Sequence, residues 1–235
     1  MKLSETTVIV TGGGRGIGKA VALDLAREKA RVVVAARSGK EVEKTVHEID
    51  AAGGQGLGLV LDLSKESDID TLVDATLSRF GTIDILINNA ATLCSHSFLE
   101  TTAQELDMTL NLNLRSPFLL SQKVMRHMIS RKQGHIINIA STAALAASST
   151  AAAYAISKRG LEALTLALRD TGRKYGIRAS TLYPGYTDTR MLQEFNVPGV
   201  PEKRMLPEDI SSCIMFLLRQ SDRMEVGEII ARASI

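Results

Sequence analysis

Residues 7–18 read Thr-Val-Ile-Val-Thr-Gly-Gly-Gly-Arg-Gly-Ile-Gly, and this stretch decides the fold class of the chain. A short run of β-branched residues ends in glycines, and a helical stripe of apolar residues follows from Ile17. This order of strand, glycine loop and helix N-terminus suits the binding of a diphosphate. Five glycines within seven positions cost more backbone entropy than a plain turn requires. The stretch therefore predicts a nucleotide-binding α/β domain.

Strand and helix patterns alternate along the rest of the chain. Further strand patterns lie at 32–35, 58–61, 83–88, 136–140, 178–183 and 228–231. Helical patterns lie at 17–30, 40–52, 66–80, 103–132 with a bend at Pro117, 152–175 and 208–220. Such alternation is typical of a parallel sheet, and nearly continuous apolar strands indicate helices on both faces. We predict an α/β fold, a doubly wound Rossmann-type parallel sheet of seven strands.

Length and composition limit the function classes. A chain of 235 residues, 45% apolar and 23% charged, fits one large soluble domain or two small ones. No composition break or linker divides it, so we expect a single domain over residues 1–235. A net charge of +2, an aromatic content of 4% and the lack of Trp argue against a nucleic-acid partner or an anionic membrane surface.

Cysteine, histidine and targeting patterns bear on the compartment of the protein and on metal binding. Cys94 and Cys213 lie far apart, as in a reducing compartment, and the four histidines lack metal-ligand spacing, so we expect no metal centre. The first apolar run, Val8 to Val10, is too short for a signal peptide. The uncharged stretch 136–157 carries too many polar side chains for a membrane span. We therefore predict a cytoplasmic protein.

The carboxyl ends of the strands, where doubly wound sheets bind ligands, carry the cofactor signals. The second strand is followed by Arg37 and Ser38 without a carboxylate, and Arg15 in the glycine loop offers a second cation. Two guanidinium groups can bind the 2′-phosphate of NADP(H), whereas a solvated surface role for Arg37 is the alternative. After the third strand, Asp62-Leu63 can contact adenine, or Asp62 can be a helix N-cap.

The strongest chemical signal is Tyr154-x-x-x-Lys158, because this spacing puts a phenol and an ammonium on one helix face. A phenol has a pKa of about 10 and needs a nearby cation to exchange protons near neutral pH. Ser141, directly after the fifth strand, can donate a hydrogen bond to a carbonyl oxygen while Tyr154 delivers the proton. These roles fit carbonyl reduction by hydride transfer.

These motifs resemble one family over nearly the whole chain, the compact short-chain dehydrogenase/reductases. The matching segments are Thr11-Gly12-x-x-x-Gly16-Ile17-Gly18, Asn88-Asn89-Ala90, Ser141, Tyr154-x-x-x-Lys158 and Pro184-Gly185-x-x-x-Thr189. The resemblance implies the strand order 3-2-1-4-5-6-7, a dimer or tetramer, and a fourth catalytic residue, Asn113, in a proton relay that reaches Lys158. It also implies that Thr187 to Thr189 contact the nicotinamide amide.

Together the residues and the resemblance indicate two sets of site residues. The catalytic set is Asn113, Ser141, Tyr154 and Lys158. The cofactor set is Gly12, Gly14, Arg15, Gly16, Ile17, Gly18, Arg37, Ser38, Asp62, Leu63, Asn89, Ala90, Tyr154, Lys158, Pro184, Gly185, Thr187 and Thr189. Two positions depart from the family pattern. Ala91 replaces a glycine and requires φ below zero, and the end at 227–235 lacks the Asp-Gly-Gly tail of many relatives, which puts a tetramer in doubt.

The leading hypothesis is an NADPH-dependent reductase of a ketone or 3-oxoacyl thioester, similar to 3-oxoacyl-acyl-carrier-protein reductases. Arg131 and Lys132 could then meet an acidic acyl carrier protein, although Tyr175 takes the second basic position and a surface role is an equal alternative. The competing hypotheses are a sugar, steroid or other alcohol dehydrogenase, a silent NADP(H)-binding sensor or scaffold, and a sugar-nucleotide epimerase. The apolar residues of segment 186–206 and the small residues Ala143 to Ala147 predict a lid over a roomy, uncharged pocket.

Overall fold

The computed structural model describes residues 2–146, 150–194 and 202–234. Its centre is a seven-stranded sheet in the order β3-β2-β1-β4-β5-β6-β7, with all pairs parallel. The strands are β1 (Thr7–Thr11), β2 (Arg31–Ala36), β3 (Gln55–Val60), β4 (Ile85–Asn88), β5 (Gly134–Ile139), β6 (Ile177–Pro184) and β7 (Glu228–Ala231). The order confirms the doubly wound Rossmann-type sheet that the sequence predicts.

Helices cover both faces of this sheet. They are α1 (Gly16–Arg27), α2 (Gly39–Ala51), α3 (Glu66–Phe80), α4 (Ala103–Leu110), α5 (Ser116–Arg131), α6 (Ala152–Gly172), α7 (Arg190–Glu194) and α8 (Pro207–Arg219). Alternate residues of β1 point to opposite faces, so Val8 and Val10 pack with α1, α2 and α8, and Ile9 packs with α3, α5 and α6. The two aliphatic cores fix the carboxyl ends of the central strands along one edge.

Strand β3 begins three residues earlier than its sequence pattern, which started at residue 58. Two glycines, Gly56 and Gly58, conceal the strand because they contribute no apolar side chain. A Cβ atom on Gly58 would lie 2.6 Å from Val42, and one on Gly56 would lie 2.9 Å from Val46. The glycines therefore allow α2 to pack closely on β3, and the apolar contact comes from the helix.

The helical pattern at 103–132 is not a single helix bent at Pro117. Helices α4 and α5 are separated by one π-helical turn, Asn111–Arg115, in which the Ser116 N–H donates to the Asn111 carbonyl. Pro117 lies in the first turn of α5, where its missing N–H costs nothing. The irregular turn thus precedes the proline and carries Asn113. Further along the chain, the helical pattern at 152–175 ends as α6 at Gly172, and a 3₁₀ turn follows at Arg173–Tyr175.

Within the described ranges, none of the helices combines the length and the apolar character that crossing a membrane requires.

Candidate active site

A pocket of about 640 Å³ opens at the carboxyl ends of the strands, where the sequence predicts the ligand site. The predicted residues that line it are Gly12, Gly14, Arg15, Gly16, Ile17, Arg37, Ser38, Asp62, Leu63, Asn89, Ala90, Ser141, Tyr154, Lys158, Pro184, Gly185, Thr187 and Thr189. Gly18 and Asn113 were predicted to belong to the site but do not line the pocket. Both lie behind its wall and support residues that do.

The glycine loop between β1 and α1 forms one wall of the pocket. Gly12 adopts φ +65°, and a Cβ atom there would lie 3.0 Å from the Cα atom of Ala90. A Cβ atom on Gly18 would lie 2.5 Å from the Gly12 carbonyl oxygen, so Gly18 supports the loop from inside α1. Its glycines thus present bare backbone to the pocket at a helix N-terminus, which fits the diphosphate of a dinucleotide.

Residues directly after β4 form hydrogen bonds with Thr11, the residue that precedes the glycine loop. The Thr11 hydroxyl oxygen accepts hydrogen bonds from the backbone N–H groups of Asn89 (2.9 Å) and Ala90 (3.0 Å). The Asn89 side-chain amide in turn donates to the Thr11 carbonyl oxygen at 2.8 Å. Ala91 is not among the residues with positive φ, so alanine replaces the family's glycine there without backbone strain.

The opposite end of the pocket carries the residues predicted for the adenosine half of the cofactor. Ser38 is the N-cap of α2 and accepts a hydrogen bond from the Glu41 N–H. Asp62 is not an N-cap, because Lys65 takes that position at α3. Burial raises the pKa of the Asp62 carboxyl, but hydrogen bonds from Ser64 and the charges of Arg37 and Lys65 outweigh it and lower the pKa overall. Asp62 is therefore an ionised acceptor on the pocket wall.

Glu41, a pocket residue on the first turn of α2, was not predicted from the sequence. Its carboxylate lies 3.5 Å from the guanidinium groups of both Arg15 and Arg190. The signal was present as Ser38-x-x-Glu41, the spacing of an N-cap and its third helical residue. A carboxylate from α2 thus lies close to the Arg15 side chain, although none directly follows β2 in the sequence.

Ser141 and Tyr154 meet at the centre of the pocket. Ser141 lies just beyond β5, and its hydroxyl oxygen accepts a hydrogen bond from the Ala143 N–H at 3.2 Å. Its side chain also forms a hydrogen bond with the Tyr154 phenol. Burial of the phenol raises the pKa of Tyr154, and the Ser141 hydrogen bond opposes this only in part. The phenol is therefore protonated at neutral pH and can act as a proton donor.

Lys158 lies one helical turn beyond Tyr154 on α6. Its side chain is 2% exposed, and its ammonium donates to the Ile139 carbonyl oxygen at 2.8 Å. The Nζ atom lies 5.7 Å from the centroid of the Tyr154 ring, so the spacing does put both groups on one face. Burial lowers the pKa of Lys158 to about 7. The lysine is thus held in place by the end of β5 and titrates near neutral pH.

Asn113 lies behind the pocket wall, on the π-helical turn. It is fully buried, and its side-chain amide donates to the Thr92 carbonyl (2.8 Å) and to the Ser157 hydroxyl (3.0 Å). Its amide oxygen accepts from the Thr92 N–H at 2.8 Å, and Ser157 donates to the Tyr154 carbonyl at 2.7 Å. In this structure Asn113 joins the loop after β4 to the helix of Tyr154, and it forms no direct hydrogen bond with Lys158.

The segment after β6 closes the pocket on the remaining side. Gly185 is fixed to β7 by a hydrogen bond from its N–H to the Ala231 carbonyl (2.8 Å), and Thr187 donates to the Gly185 carbonyl (3.1 Å). Met191 and Leu192 of α7 line the pocket. Of the apolar residues expected in a lid, Phe195, Val197 and Val200 lie outside the described residues. Ala147, which was expected to line the pocket beside Ser141, also lies outside them.

Comparisons with known proteins agree with this geometry. The family model described as short chain dehydrogenase matches residues 6–198. A subunit of (2S)-[(R)-hydroxy(phenyl)methyl]succinyl-CoA dehydrogenase from Thauera aromatica is 32% identical, over 98% of this chain and 96% of that protein. A metagenomic short-chain oxidoreductase solved with NADP is 31% identical over all of both chains, with a TM-score of 0.87. NAD⁺-bound xylitol dehydrogenase is 25% identical over all of both chains, with a TM-score of 0.89.

Proposed function

Because the chain belongs to the short-chain dehydrogenase family, we propose that it is an NADPH-dependent reductase that converts a ketone or 3-oxoacyl thioester to a secondary alcohol. The family makes it an oxidoreductase that acts on carbonyl and alcohol groups with a nicotinamide cofactor. The observation that carries the proposal is the hydrogen-bonded pair Ser141–Tyr154 beside buried Lys158, at the wall of one large pocket.

The proposed mechanism assigns one role to each of these side chains. A bound nicotinamide cofactor supplies the hydride that reduces the carbonyl carbon. The Ser141 hydroxyl donates a hydrogen bond to the carbonyl oxygen, where negative charge develops. Tyr154 gives its phenolic proton to that oxygen, because its raised pKa keeps it protonated. The Lys158 ammonium stabilises the phenolate that remains, and Asn113 positions the helix of Tyr154 through Ser157.

The preference for NADPH is supported by Arg37 and Arg15 at the adenosine end of the pocket. Among the residues that the structure describes, Arg37 forms no salt bridge and acts on the charge of Asp62 only at longer range, so its guanidinium can bind a 2′-phosphate without breaking an ion pair. Arg15 must first leave Glu41, and that pair, with Arg15's side chain 46% exposed, is weak. The NADP-bound relative fits this assignment, whereas NAD⁺-bound xylitol dehydrogenase represents the competing choice of cofactor.

A thioester substrate is supported by similarity to one relative and by the residues that line the pocket. The Thauera relative is named for a hydroxyl-bearing coenzyme A thioester. Apolar and small residues, among them Leu93, Ala143 and Met191, line the pocket where an acyl chain would lie. Acyl carrier protein is a weaker proposal, because Arg131 pairs with Asp84 at the amino end of β4, at the other edge of the sheet from this chain's pocket.

Two competing functions use the same pocket. A sugar, steroid or other alcohol dehydrogenase would use the same catalytic residues and differ only in the substrate, and the structural relatives include a xylitol dehydrogenase. A silent NADP(H) sensor or scaffold has no use for the Ser141–Tyr154 hydrogen bond or for a buried lysine, so it accounts for less of the site. Assembly into a homodimer or homotetramer, which the family resemblance implies, stays a prediction that static light scattering measures directly.

A substrate panel tests the proposal. Acetoacetyl-coenzyme A, an aromatic ketone and a sugar lactone are each incubated with the protein and NADPH or NADH, and cofactor oxidation is followed at 340 nm. We expect the highest kcat/KM for the thioester with NADPH. A preference for the lactone or for NADH would overturn the finer assignment but not the reductase, whereas no turnover in either direction with any substrate would favour the sensor.

A further inference from the structure

Three potential metal ligands meet at the rim of the pocket, although their spacing along the chain shows no metal-binding pattern. The Cys94 sulfur, a His96 ring nitrogen and a Glu105 carboxylate oxygen all lie within 4.8 Å of one another. His96 Nδ1 and Glu105 Oε1 are 2.8 Å apart. Cys94 and His96 belong to the loop after β4, and Glu105 lies on the first turn of α4. The fold therefore brings three donor atoms from one loop and one helix close together.

The chemistry of this set selects a borderline divalent cation. Thiolate, imidazole and carboxylate are the three ligand types that bind Zn²⁺, which prefers four ligands in a tetrahedron. Metal–ligand bonds of about 2.0–2.3 Å place tetrahedral donors about 3.3–3.7 Å apart. The His96–Glu105 pair, at 2.8 Å, must therefore separate slightly when an ion binds. Three protein ligands leave a fourth position for water, whereas hard cations such as Mg²⁺ require oxygen ligands and are disfavoured.

The Glu105 carboxylate is already oriented to bind an ion. Its second oxygen, Oε2, accepts hydrogen bonds from the Thr102 N–H and the Thr102 hydroxyl, both at 2.9 Å, in the capping box of α4. These bonds leave Oε1 directed at His96 and supply the outer support that metal-binding carboxylates normally have. The His96 side chain is 56% exposed, so an ion can enter from solvent.

The cluster is separate from the catalytic residues but is connected to them. None of its three members lines the catalytic pocket, although Leu93, the neighbour of Cys94, does. The His96 carbonyl oxygen accepts a hydrogen bond (3.1 Å) from the N–H of Ala151, the residue that precedes α6. Ala151 adopts φ +55°, a strained value for alanine, three residues before Tyr154. An ion held by His96 would restrain the loop that secures this turn.

We propose that Cys94, His96 and Glu105 bind one zinc ion with an open fourth position, and that the ion clamps the loop after β4 at the pocket rim. Binding releases the Cys94 thiol proton to solvent, because the thiolate is the ligand. The site departs from the expectation of no metal centre. That expectation rested on sequence spacing alone, and a separation of nine positions between His96 and Glu105 carries no pattern.

The test measures binding of zinc to tag-free, reduced protein in competition with a chromophoric chelator. We expect one site per chain in the wild type and an affinity at least about tenfold lower in Cys94→Ser and in His96→Gln. Cys213→Ser and His47→Gln, which change the same residue types elsewhere, should bind as the wild type does. Circular dichroism and melting of the metal-free proteins check that each variant folds. Equal zinc affinity in all five proteins, or no site at all, would overturn the proposal.

Thiol alkylation gives a second readout in the Cys213→Ser background, where Cys94 is the remaining cysteine. Stoichiometric zinc should slow alkylation of Cys94 at least about tenfold, and magnesium should not. His96→Gln added to this background should abolish the protection. Unchanged alkylation with zinc, or protection that survives His96→Gln, would show that the three residues do not act as a site.

Discussion

The two ends of the cofactor pocket differ in how firmly their functional side chains are held. At the catalytic end, Lys158 is 2% exposed and donates to a backbone carbonyl of the central sheet. At the adenosine end, the Arg15 side chain is 46% exposed, and its 3.5 Å contact with Glu41 is shared with Arg190. One end is built into the core, and the other is a set of exposed surface charges.

This difference separates the reaction from the choice of cofactor. Buried groups feel strong electrostatic effects, so the pKa of Lys158 falls to about 7 and the pKa of Tyr154 rises. Exposed ion pairs contribute little free energy and exchange partners readily. Substitutions at the catalytic end should therefore abolish chemistry, whereas those at the adenosine end should shift preference between cofactors. Three predictions test this contrast, from the largest expected effect to the smallest.

Tyr154→Phe should reduce kcat by about a thousandfold, because it removes the proton donor. The dissociation constant for NADPH, measured by fluorescence, should change less than about threefold, since the ring remains. Tyr175→Phe, a change of the same kind outside the pocket, should leave kcat unaltered. Substantial turnover by Tyr154→Phe would remove the distinction between the two ends, because the buried phenol would then be dispensable.

Arg37→Ala should raise KM for NADPH by about 10- to 100-fold, or about 1.4–2.8 kcal/mol. The KM for NADH should hardly change, because NADH has no 2′-phosphate. Arg126→Ala, an exposed arginine on α5, is the matched control. Equal use of both cofactors by the wild type would refute the phosphate role of Arg37 and would direct attention to Glu41 as a ribose ligand.

Lys158→Met should make the stability of the protein less dependent on pH. The native pKa of about 7 lies below the usual lysine value of 10.5, so between these values the unfolded chain holds a proton that the native chain lacks. The free energy of unfolding of the wild type should therefore rise with pH relative to that of the variant, by about 2 kcal/mol from pH 7 to pH 9. Urea unfolding at both pH values measures it. Parallel pH curves would mean that the lysine stays charged in the native state.

Much of the fold was accessible from the sequence because its signals are local. The periodicity of α3 and the strand pattern at 228–231 gave the observed bounds, and the glycine loop identified the cofactor end. Strand β3 was harder to recognise, because its glycines transfer the apolar contact to α2. The π-helical turn at Asn113 was also missed, since it depends on hydrogen bonds to Thr92 and Ser157, far away in the chain.

The site residues also divide into those with a local sequence signal and those that depend on contacts between distant parts of the chain. Motif residues at strand ends were predictable because parallel strands bring their carboxyl ends to one edge. Glu41 was missed because it is a helix residue whose role depends on the side chains of Arg15 and Arg190. The meeting of Cys94, His96 and Glu105 depends on the path of one loop, which no spacing rule describes.

Transfer of the hydride itself is the most direct measure of the reductase assignment. NADPH carrying deuterium at both C4 positions is incubated with the protein and its best carbonyl substrate, and the alcohol is analysed by mass spectrometry. We expect one deuterium on the carbinol carbon, with Tyr154→Phe giving almost no product. Oxidation of NADPH without deuterium in an alcohol product would contradict hydride transfer to a carbonyl at this site.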